Sequence, residues 1–248
     1  MGHWRERLGL LRSLWMYYGD PRLHGRMLRF YRQFLGPGDL CFDIGAHVGS
    51  RVRVFRALGA RTIALEPQPQ CMKLLRRWYA GKPDVVLLEQ AVGASAGSAT
   101  LHVSRRTPTV TSLSSDWIDA VRRDQGFAWV EWDQRVTVPV TTLDALIREH
   151  GLPAFCKIDV EGFERAVLEG LSRPLPCLSF EYIPAALAEA RACVARLEAL
   201  ARYRYNWAAG ESHRLQSDTW LDAATLLARL DGVAADGNSG DIYARLDG

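Results

Sequence analysis

The sequence of 248 residues predicts an α/β fold in which a mostly parallel β-sheet is covered by helices on both faces. From residue 40 onwards, apolar runs of four to six residues alternate with helical patterns, and acidic residues recur where these runs end. Hydrophobic residues make up 48% and charged residues 24%, which excludes a disordered chain. The length suits one large domain or two small ones.

Two amphipathic helices are predicted before the sheet, over 3–18 and 24–35. In the first, Leu8, Leu11, Trp15 and Tyr18 recur at spacings of three and four residues, which is the period of one helix face. Asp20-Pro21 separates the two helices, and the run of glycine and proline at 36–38 ends the second.

The charge of the chain is concentrated in these helices. Residues 1–36 contain seven arginines against Glu6 and Asp20, a net charge of +5, and the rest of the chain carries −2, giving the total of +3. Two interpretations stay open. The favoured one is a helical cap on the edge of the sheet with its charged face in water. The other is peripheral contact with an anionic membrane surface.

The elements that follow alternate in type. Strands are predicted over 40–44, 61–65, 85–89, 155–159, 177–182, 203–208 and 241–246, and helices over 50–58, 69–78, 162–171 and 185–200. Segment 93–140 interrupts this rhythm, and its alternating stretches 99–103 and 135–140 predict an added hairpin. Its Trp117, Trp129 and Trp132 form either a lid over the site or a locally packed cluster.

A glycine turn follows the first predicted strand. Gly45 and Gly49 allow a tight turn into a helix, and Glu66 ends the next strand, 21 residues after Gly45, where a carboxylate can hold ribose hydroxyls. Either a dinucleotide or S-adenosylmethionine suits these parts. His47 stands where the dinucleotide fingerprint requires a glycine, and Asp43 would repel a pyrophosphate but attract a cationic donor. The charges therefore favour S-adenosylmethionine, with a nicotinamide-dependent oxidoreductase as the alternative.

Four ordered blocks of sequence resemble a known family. D-I-G-A-H-V-G at 43–49, A-L-E-P-Q-P at 64–69, V-T-T-L-D at 140–144 and K-I-D-V-E-G-F-E at 157–164 are similar to the FkbM family of S-adenosylmethionine-dependent methyltransferases. The resemblance covers roughly 36–182. It implies the class I methyltransferase fold, a three-layer Rossmann-like arrangement with a seven-stranded, mostly parallel sheet whose last strand is antiparallel.

The resemblance also implies roles for residues of this chain. Those expected to bind the cofactor S-adenosyl-L-methionine are Asp43, Gly45, Ala46, His47, Gly49, Glu66, Gln90, Ala91 and Asp159. Among them, Glu66 would bind the ribose and Gln90-Ala91 would flank the adenine. We expect residues 1–35 to form the helical cap and 36–248 the methyltransferase domain, with the insertion at about 93–140. The family implies a hydroxyl acceptor on a sugar, a glycan or a natural product.

The chemistry of methyl transfer to a hydroxyl singles out a few candidates for a general base. Asp159 and Glu161 follow the fourth predicted strand and can point to the same side, and His213 follows the penultimate strand on a polar loop. Glu181 ends the fifth strand, but two carboxylates without a third identifiable ligand do not predict a metal site. Lys157 is expected to pair with a carboxylate such as Asp144. A non-catalytic binding protein that retains the fold stays an alternative.

Other features bear on partners and location. Neither of the two asparagines, Asn206 and Asn238, precedes a proline, which excludes the N-P-P-Y motif of nucleic-acid base methyltransferases, and we expect no nucleic-acid partner. The five cysteines lack a C-x-x-C pair and indicate free thiols in a reducing compartment. With no apolar run long enough to span a membrane and no signal peptide, the expected location is cytoplasmic.

Overall fold

The computed structural model describes residues 3–124, 126–235 and 239–247. Its α-helices are α1 His3–Tyr18, α2 Pro21–Tyr31, α3 Ser50–Ala57, α4 Pro69–Tyr79, α5 Ser115–Val121, α6 Leu143–His150, α7 Glu164–Glu169, α8 Leu187–Leu200 and α9 Ala223–Ala235. Its strands are β1 Leu40–Ile44, β2 Arg61–Leu65, β3 Val85–Leu88, β4 Ala91–Val92, β5 Gly97–Val103, β6 Gln134–Thr141, β7 Phe155–Ile158, β8 Cys177–Tyr182, β9 Tyr203–Ala209 and β10 Gly240–Leu246. Short 3₁₀ helices cover Pro108–Val110 and Pro184–Ala186.

The main sheet of the described residues has seven strands in the order β3-β2-β1-β7-β8-β10-β9. Strand β10, the last in the chain, runs antiparallel to both β8 and β9, and the pairs among β3, β2, β1, β7 and β8 are parallel. The predicted seven-stranded sheet with an antiparallel last strand is therefore confirmed. The chain reverses direction along the sheet at β1, which pairs with β2 on one side and β7 on the other, and such a switch point is where open α/β sheets bind ligands.

The added hairpin predicted within 93–140 is also confirmed. Strands β5 and β6 pair antiparallel with Leu101 opposite Val136, and β4 pairs with β6 in parallel, so the three form a second small sheet. Buried Leu101 and Val138 pack its inner face. The insertion is thus a folded unit beside the main sheet.

Several helices differ from the sequence-based expectation. Helix α2 begins at Pro21 rather than at 24, because the Asp20 side chain accepts a hydrogen bond from the backbone N–H of Arg22 and Pro21 fits the first helical turn. Helices α5, α6 and α9 were not predicted. Helix α7 is shorter than expected because residues 159–163 form a turn that carries two site residues.

Apolar cores lie on both faces of the main sheet. One includes Phe42, Ile158 and Phe180, and the other joins the sheet to α2 through Tyr31, Phe155 and Tyr243. Within the described ranges, every helix is too short or too polar to cross a membrane. The predicted domain limits of 1–35 and 36–248 stay a prediction, and they include residues 1–2, 125, 236–238 and 248, which lie outside the described residues.

Candidate active site

A cavity opens at the carboxyl ends of β1, β2, β7 and β8, next to the switch point. It encloses about 1020 Å³ of empty space including its open mouth, at the upper end of the size of small-molecule sites. Each of these strand ends contributes to its wall, through Gly45, Glu66, Asp159 and Glu181. Three of the acidic residues that the sequence placed at strand ends, Glu66, Asp159 and Glu181, therefore meet at one site.

The turn after β1 forms one wall of the cavity. Gly45 has a φ of +87°, and a Cβ atom on it would lie 1.8 Å from the carbonyl oxygen of Asp159, so only glycine fits. The backbone N–H groups of Gly45 and Ala46 both donate to the carbonyl of Leu65 at 2.9 Å. This arrangement fixes the turn against the ends of both neighbouring strands.

Glu66 is held rigidly at the cavity wall. Its Oε2 accepts a hydrogen bond from the backbone N–H of His47 at 2.8 Å, and its Oε1 accepts one from the backbone N–H of Gln68 at 2.7 Å. Burial raises the pKa of this carboxyl to about 7, although both hydrogen bonds oppose the shift. Each carboxylate oxygen keeps lone-pair capacity for a further donor, such as a ribose hydroxyl in the cavity.

Three carboxylates converge at another part of the cavity wall. Asp159, Glu161 and Glu181 have carboxylate oxygens within 4.8 Å of one another. Burial raises the pKa of Glu161 well above its usual range, and the charges of Asp159 and Glu164 add to this; burial and the same cluster raise the pKa of Glu181. The Oε2 atom of Glu181 is buried without a hydrogen-bond partner among the described residues.

This cluster changes one expectation from the sequence. No metal ligand set was predicted because a third ligand beside Asp159 and Glu181 was not identifiable, and the structure brings Glu161 to them. Glu161 reaches this position with a φ of +55°, a left-handed conformation that is costly for a residue with a side chain. Three carboxylates can bind a divalent cation or share protons.

Lys157 has different partners from the one expected. Its Nζ lies 2.8 Å from Oδ1 of Asp241 and 3.2 Å from Oδ2 of Asp159. Asp144 is not its partner, because that side chain instead accepts a hydrogen bond from the backbone N–H of Ser172 at 2.9 Å. Lys157 therefore supplies positive charge behind the carboxylate cluster.

The structure adds Tyr17, Arg51 and Glu211 to the cavity wall, none of which the sequence singled out. The Nη2 atom of Arg51 lies 3.1 Å from both carboxylate oxygens of Glu211, and the guanidinium stands 5.6 Å from the ring centre of Tyr17. Burial opposes ionisation of Glu211, but the Arg51 guanidinium and the hydrogen bond with His213 together hold its pKa well below its usual range. These residues come from α1, α3 and the loop after β9, so no local sequence pattern connects them.

Seven of the predicted site residues line the cavity, and four do not. Those that line the cavity are Gly45, His47, Glu66, Gln90, Ala91, Asp159 and Glu161. Asp43, Ala46 and Gly49 lie in the layer behind it. Burial raises the pKa of Asp43 to about 7, and burial lowers the pKa of His47 to about 4, so the imidazole is neutral at neutral pH.

His213 lies outside the cavity wall. Its ring packs beside Phe30 and Tyr31, with centroid distances of 5.9 and 6.2 Å, and its Nε2 lies 3.2 Å from Oε2 of Glu211. A catalytic role for His213 stays a prediction, but this position favours support of the Glu211–Arg51 pair. The φ of His213 is +48°, in the left-handed region of backbone conformations.

The tryptophans of the insertion pack locally. Trp117 is 3% exposed and fills the space where a side chain on Gly162 would stand, and the Nε1 of Trp132 donates to the carbonyl of Val110 at 2.8 Å. Trp129 is exposed to solvent. These contacts favour local packing over a lid for Trp117 and Trp132.

A seven-stranded sheet with an antiparallel last strand and an acidic cavity at the switch point defines the class I methyltransferase fold. The chain belongs to the FkbM methyltransferase family, because the family model for the Methyltransferase FkbM domain matches residues 43–189. It is an S-adenosylmethionine-dependent methyltransferase, and its methyl donor is S-adenosyl-L-methionine. The nicotinamide-dependent alternative is thereby excluded.

The residues present fit this donor. The donor carries a positive sulfonium and an ammonium group, and the cavity wall presents six carboxylates: Glu211, which pairs with Arg51, and Glu66, Asp159, Glu161, Glu181 and Asp241. The buried and unpartnered Oε2 of Glu181 adds an acceptor that a cationic or hydroxyl group can satisfy.

Solved structures with a similar chain course include three methyltransferases. A TehB-like S-adenosylmethionine-dependent methyltransferase from Corynebacterium glutamicum has a TM-score of 0.49 at 8% identity, covering 96% of this chain and 94% of that one. Precorrin-6y C5,15-methyltransferase from Geobacter metallireducens has a TM-score of 0.48 at 13% identity, covering 90% of this chain and 87% of that one. An O-methyltransferase from Bacillus cereus has a TM-score of 0.47 at 14% identity, covering 96% of this chain and 90% of that one. Among curated proteins, none matches the chain.

Proposed function

We propose that this methyltransferase transfers the methyl group to a hydroxyl group of a sugar, a glycan or a natural product. The observation that supports this acceptor chemistry is the cluster of Asp159, Glu161 and Glu181, whose oxygens lie within 4.8 Å of one another at the cavity wall. A hydroxyl group keeps its proton at neutral pH, so its methylation is helped by a base held next to it. A cluster of half-buried carboxylates at the cavity wall can supply such a base.

Glu161 is the better candidate for that base. Asp159 is paired with Lys157 at 3.2 Å, whereas Glu161 lies among like charges, and burial together with those charges raises its pKa. A carboxylate with a raised pKa accepts a proton more readily. As the acceptor oxygen bonds to the methyl carbon and the carbon–sulfur bond breaks, the hydroxyl proton would pass to Glu161, and the products are a methyl ether and a neutral thioether.

The remaining residues of the cavity wall would each bind a different part of the donor. S-adenosylmethionine supplies a methyl group activated by a positive sulfur. We propose that Glu66 holds the ribose hydroxyls, that Gln90 and Ala91 flank the adenine, and that the 45–49 turn approaches the methionine part. Arg51, with its guanidinium at the wall, suits the methionine carboxylate. Asp43 acts through its negative charge from the layer behind.

The arrangement of the chain supports one catalytic domain with a helical cap. The matched family segment begins at residue 43, and α1 and α2 precede it. Because Tyr17 of α1 lines the cavity, the cap contributes to the site rather than standing apart from it. We propose that 36–248 form the methyltransferase domain and 1–35 the cap.

The test is a transfer assay with labelled S-adenosylmethionine and a panel of sugar alcohols, methyl glycosides and amines of matched size, with nuclear magnetic resonance of the product. O-methylation is expected, and Glu161→Gln should lower kcat by about 100-fold while the KM for the donor changes little. Glu149→Gln, on the exposed end of α6, is the matched control. Methylation of nitrogen or carbon alone would contradict the proposed acceptor, and donor binding without transfer to any acceptor would indicate a non-catalytic protein.

The same assay separates a base from a metal ligand. If a chelator abolishes activity and Mg²⁺ restores it, the three carboxylates bind a cation, and Glu161 is not the base. Activity that is unchanged by the chelator and that rises with pH supports proton transfer to the cluster.

A further inference from the structure

Helix α1 is oriented opposite to an ordinary amphipathic helix. Among the described residues of α1, the two that are fully buried against the protein are small: Ser13 is buried, and a Cβ atom on Gly9 would lie 2.4 Å from the carbonyl oxygen of Arg105. The Tyr18 hydroxyl donates to the carbonyl of Val48 at 3.0 Å. The helix is therefore packed closely against the body of the protein through Gly9, Ser13 and Tyr18.

The opposite face of α1 carries a stripe of large apolar side chains. Leu8 is 53% exposed, Leu11 is 60% exposed and Trp15 is 78% exposed, and Trp4 continues the stripe at 58%. At 100° per residue these positions fall within a narrow sector of the helix. A helix on a water-facing surface normally turns such a stripe to the core, and an exposed apolar patch of this kind marks an interaction surface.

Basic residues border this stripe. Arg7 and Arg12 are exposed on α1, and exposed Arg106 approaches Leu8 and Arg12 from the loop before the first 3₁₀ helix. The guanidinium of Arg12 stands 5.1 Å from the ring centre of Trp129, which is itself 47% exposed and extends the patch onto the insertion. The acidic residue of α1, Glu6, is half-buried.

We propose that the outer face of α1, together with Trp129, docks on an anionic lipid bilayer. Tryptophan and leucine enter the interface between headgroups and acyl chains, and the bordering arginines bind the anionic headgroups. A second copy of the chain is a poorer occupant, because a symmetric pairing of this face would bring the clusters of Arg7, Arg12 and Arg106 against each other. An anionic bilayer complements both the apolar stripe and the arginines that border it.

Docking on this face would place the bilayer close to the cavity, whatever the methyl acceptor is. Tyr17 lines the cavity from the inner side of the same helix. A bilayer on the outer side would lie about one helix diameter away, on the order of 10 Å. The proposal concerns the surface alone and holds for any methyl acceptor.

The test is flotation of the full chain with vesicles of equal parts phosphatidylglycerol and phosphatidylcholine, compared with phosphatidylcholine alone. Binding is expected to the anionic vesicles and to weaken as salt is raised. Replacing Arg7 and Arg12 by glutamine should lower the partition coefficient roughly 25-fold, because each arginine near an anionic surface contributes about fivefold. The double variant of Arg148→Gln and Arg173→Gln, also exposed, is the matched control and should change it less than about twofold.

A second pair of variants tests the apolar stripe. Leu11→Glu with Trp15→Glu should abolish vesicle binding, and Leu152→Glu, an exposed leucine outside the patch, should not. Donor affinity and the circular dichroism spectrum check that each variant is folded. Equal binding of the arginine variants and the wild type, or no binding of the wild type, would overturn the proposal. So would a wild-type dimer in light scattering that Trp15→Glu converts to a monomer, because the face would then join two copies.

Discussion

The ammonium group of Lys157 on β7 lies 2.8 Å from Oδ1 of Asp241 on β10, although β8 stands between these two strands in the sheet. Lys157 is 1% exposed, and its side chain reaches across the register position of Ser179 to make this pair. The same ammonium lies 3.2 Å from Asp159. One buried cation thus connects the carboxyl end of β7, at the cavity, to β10, the last strand of the chain.

Replacing Lys157 by methionine should lower the free energy of unfolding by about 3–5 kcal/mol, because it leaves the carboxylates of Asp241 and Asp159 without their cation. Guanidinium denaturation of the ligand-free protein measures this. The double variant with Asp241→Asn should recover part of the loss, and Lys82→Met, an exposed lysine, is the control. A change for Lys157→Met as small as that for Lys82→Met would show that the pair is not needed for stability.

The ionised Asp43 carboxylate should lower the free energy of unfolding of the ligand-free protein at high pH. Its folded pKa of about 7 lies above that of an unfolded aspartate, so the folded state binds the proton more tightly, and the unfolding free energy falls as pH rises from about 4 to 7. Asp43→Asn should therefore stabilise the protein at pH 8 by about 1 kcal/mol or more, and this gain should shrink below pH 6. Denaturation at both pH values, with Asp119→Asn on the exposed face of α5 as control, measures it.

The same substitution should act oppositely on donor binding. Removal of a negative charge behind the cavity weakens the attraction of a cationic donor, so calorimetry should show a weaker affinity for S-adenosylmethionine in Asp43→Asn at pH 8. A variant that is both more stable and tighter in binding would contradict the role given to this charge.

Glu66→Gln should weaken donor binding by at least about tenfold. An amide in this position has one oxygen for two backbone N–H donors, those of His47 and Gln68, and one of them would lose its partner. Calorimetric titration with S-adenosylmethionine measures the change, and Glu149→Gln is the control. An unaltered affinity would place the ribose elsewhere in the cavity.

The elements of the main sheet were predictable because their sequence signals are local. The bounds 40–44, 61–65 and 177–182 agree with the observed strands, since each is a short apolar run between turns. The strand-end acids Glu66 and Asp159 follow from the same signals. Arg51 and Glu211 were not predictable as a pair because they are 160 residues apart, and their contact depends on how α3 meets the loop after β9.

The orientation of α1 shows another limit of sequence patterns. The spacing of Leu8, Leu11 and Trp15 predicted a helix with an apolar face, and the helix is present. Periodicity identifies a face but not what covers it, and here Gly9 and Ser13 make the close contact with the protein instead. Close approach of two backbones depends on small residues whose signal in a sequence is weak.

His213 provides a last prediction that separates support of the site from catalysis. Its Nε2 lies 3.2 Å from Oε2 of Glu211, whose carboxylate in turn binds Arg51 at the cavity wall, while the imidazole itself packs under α2. His213→Gln should therefore lower the melting temperature and weaken donor affinity severalfold through Arg51. At saturating donor, kcat should change by less than about threefold, in contrast to the roughly 100-fold loss expected for a general base. A fall in kcat as large as that of Glu161→Gln, with donor affinity and melting temperature unchanged, would instead make His213 a catalytic residue and require its loop to move into the cavity.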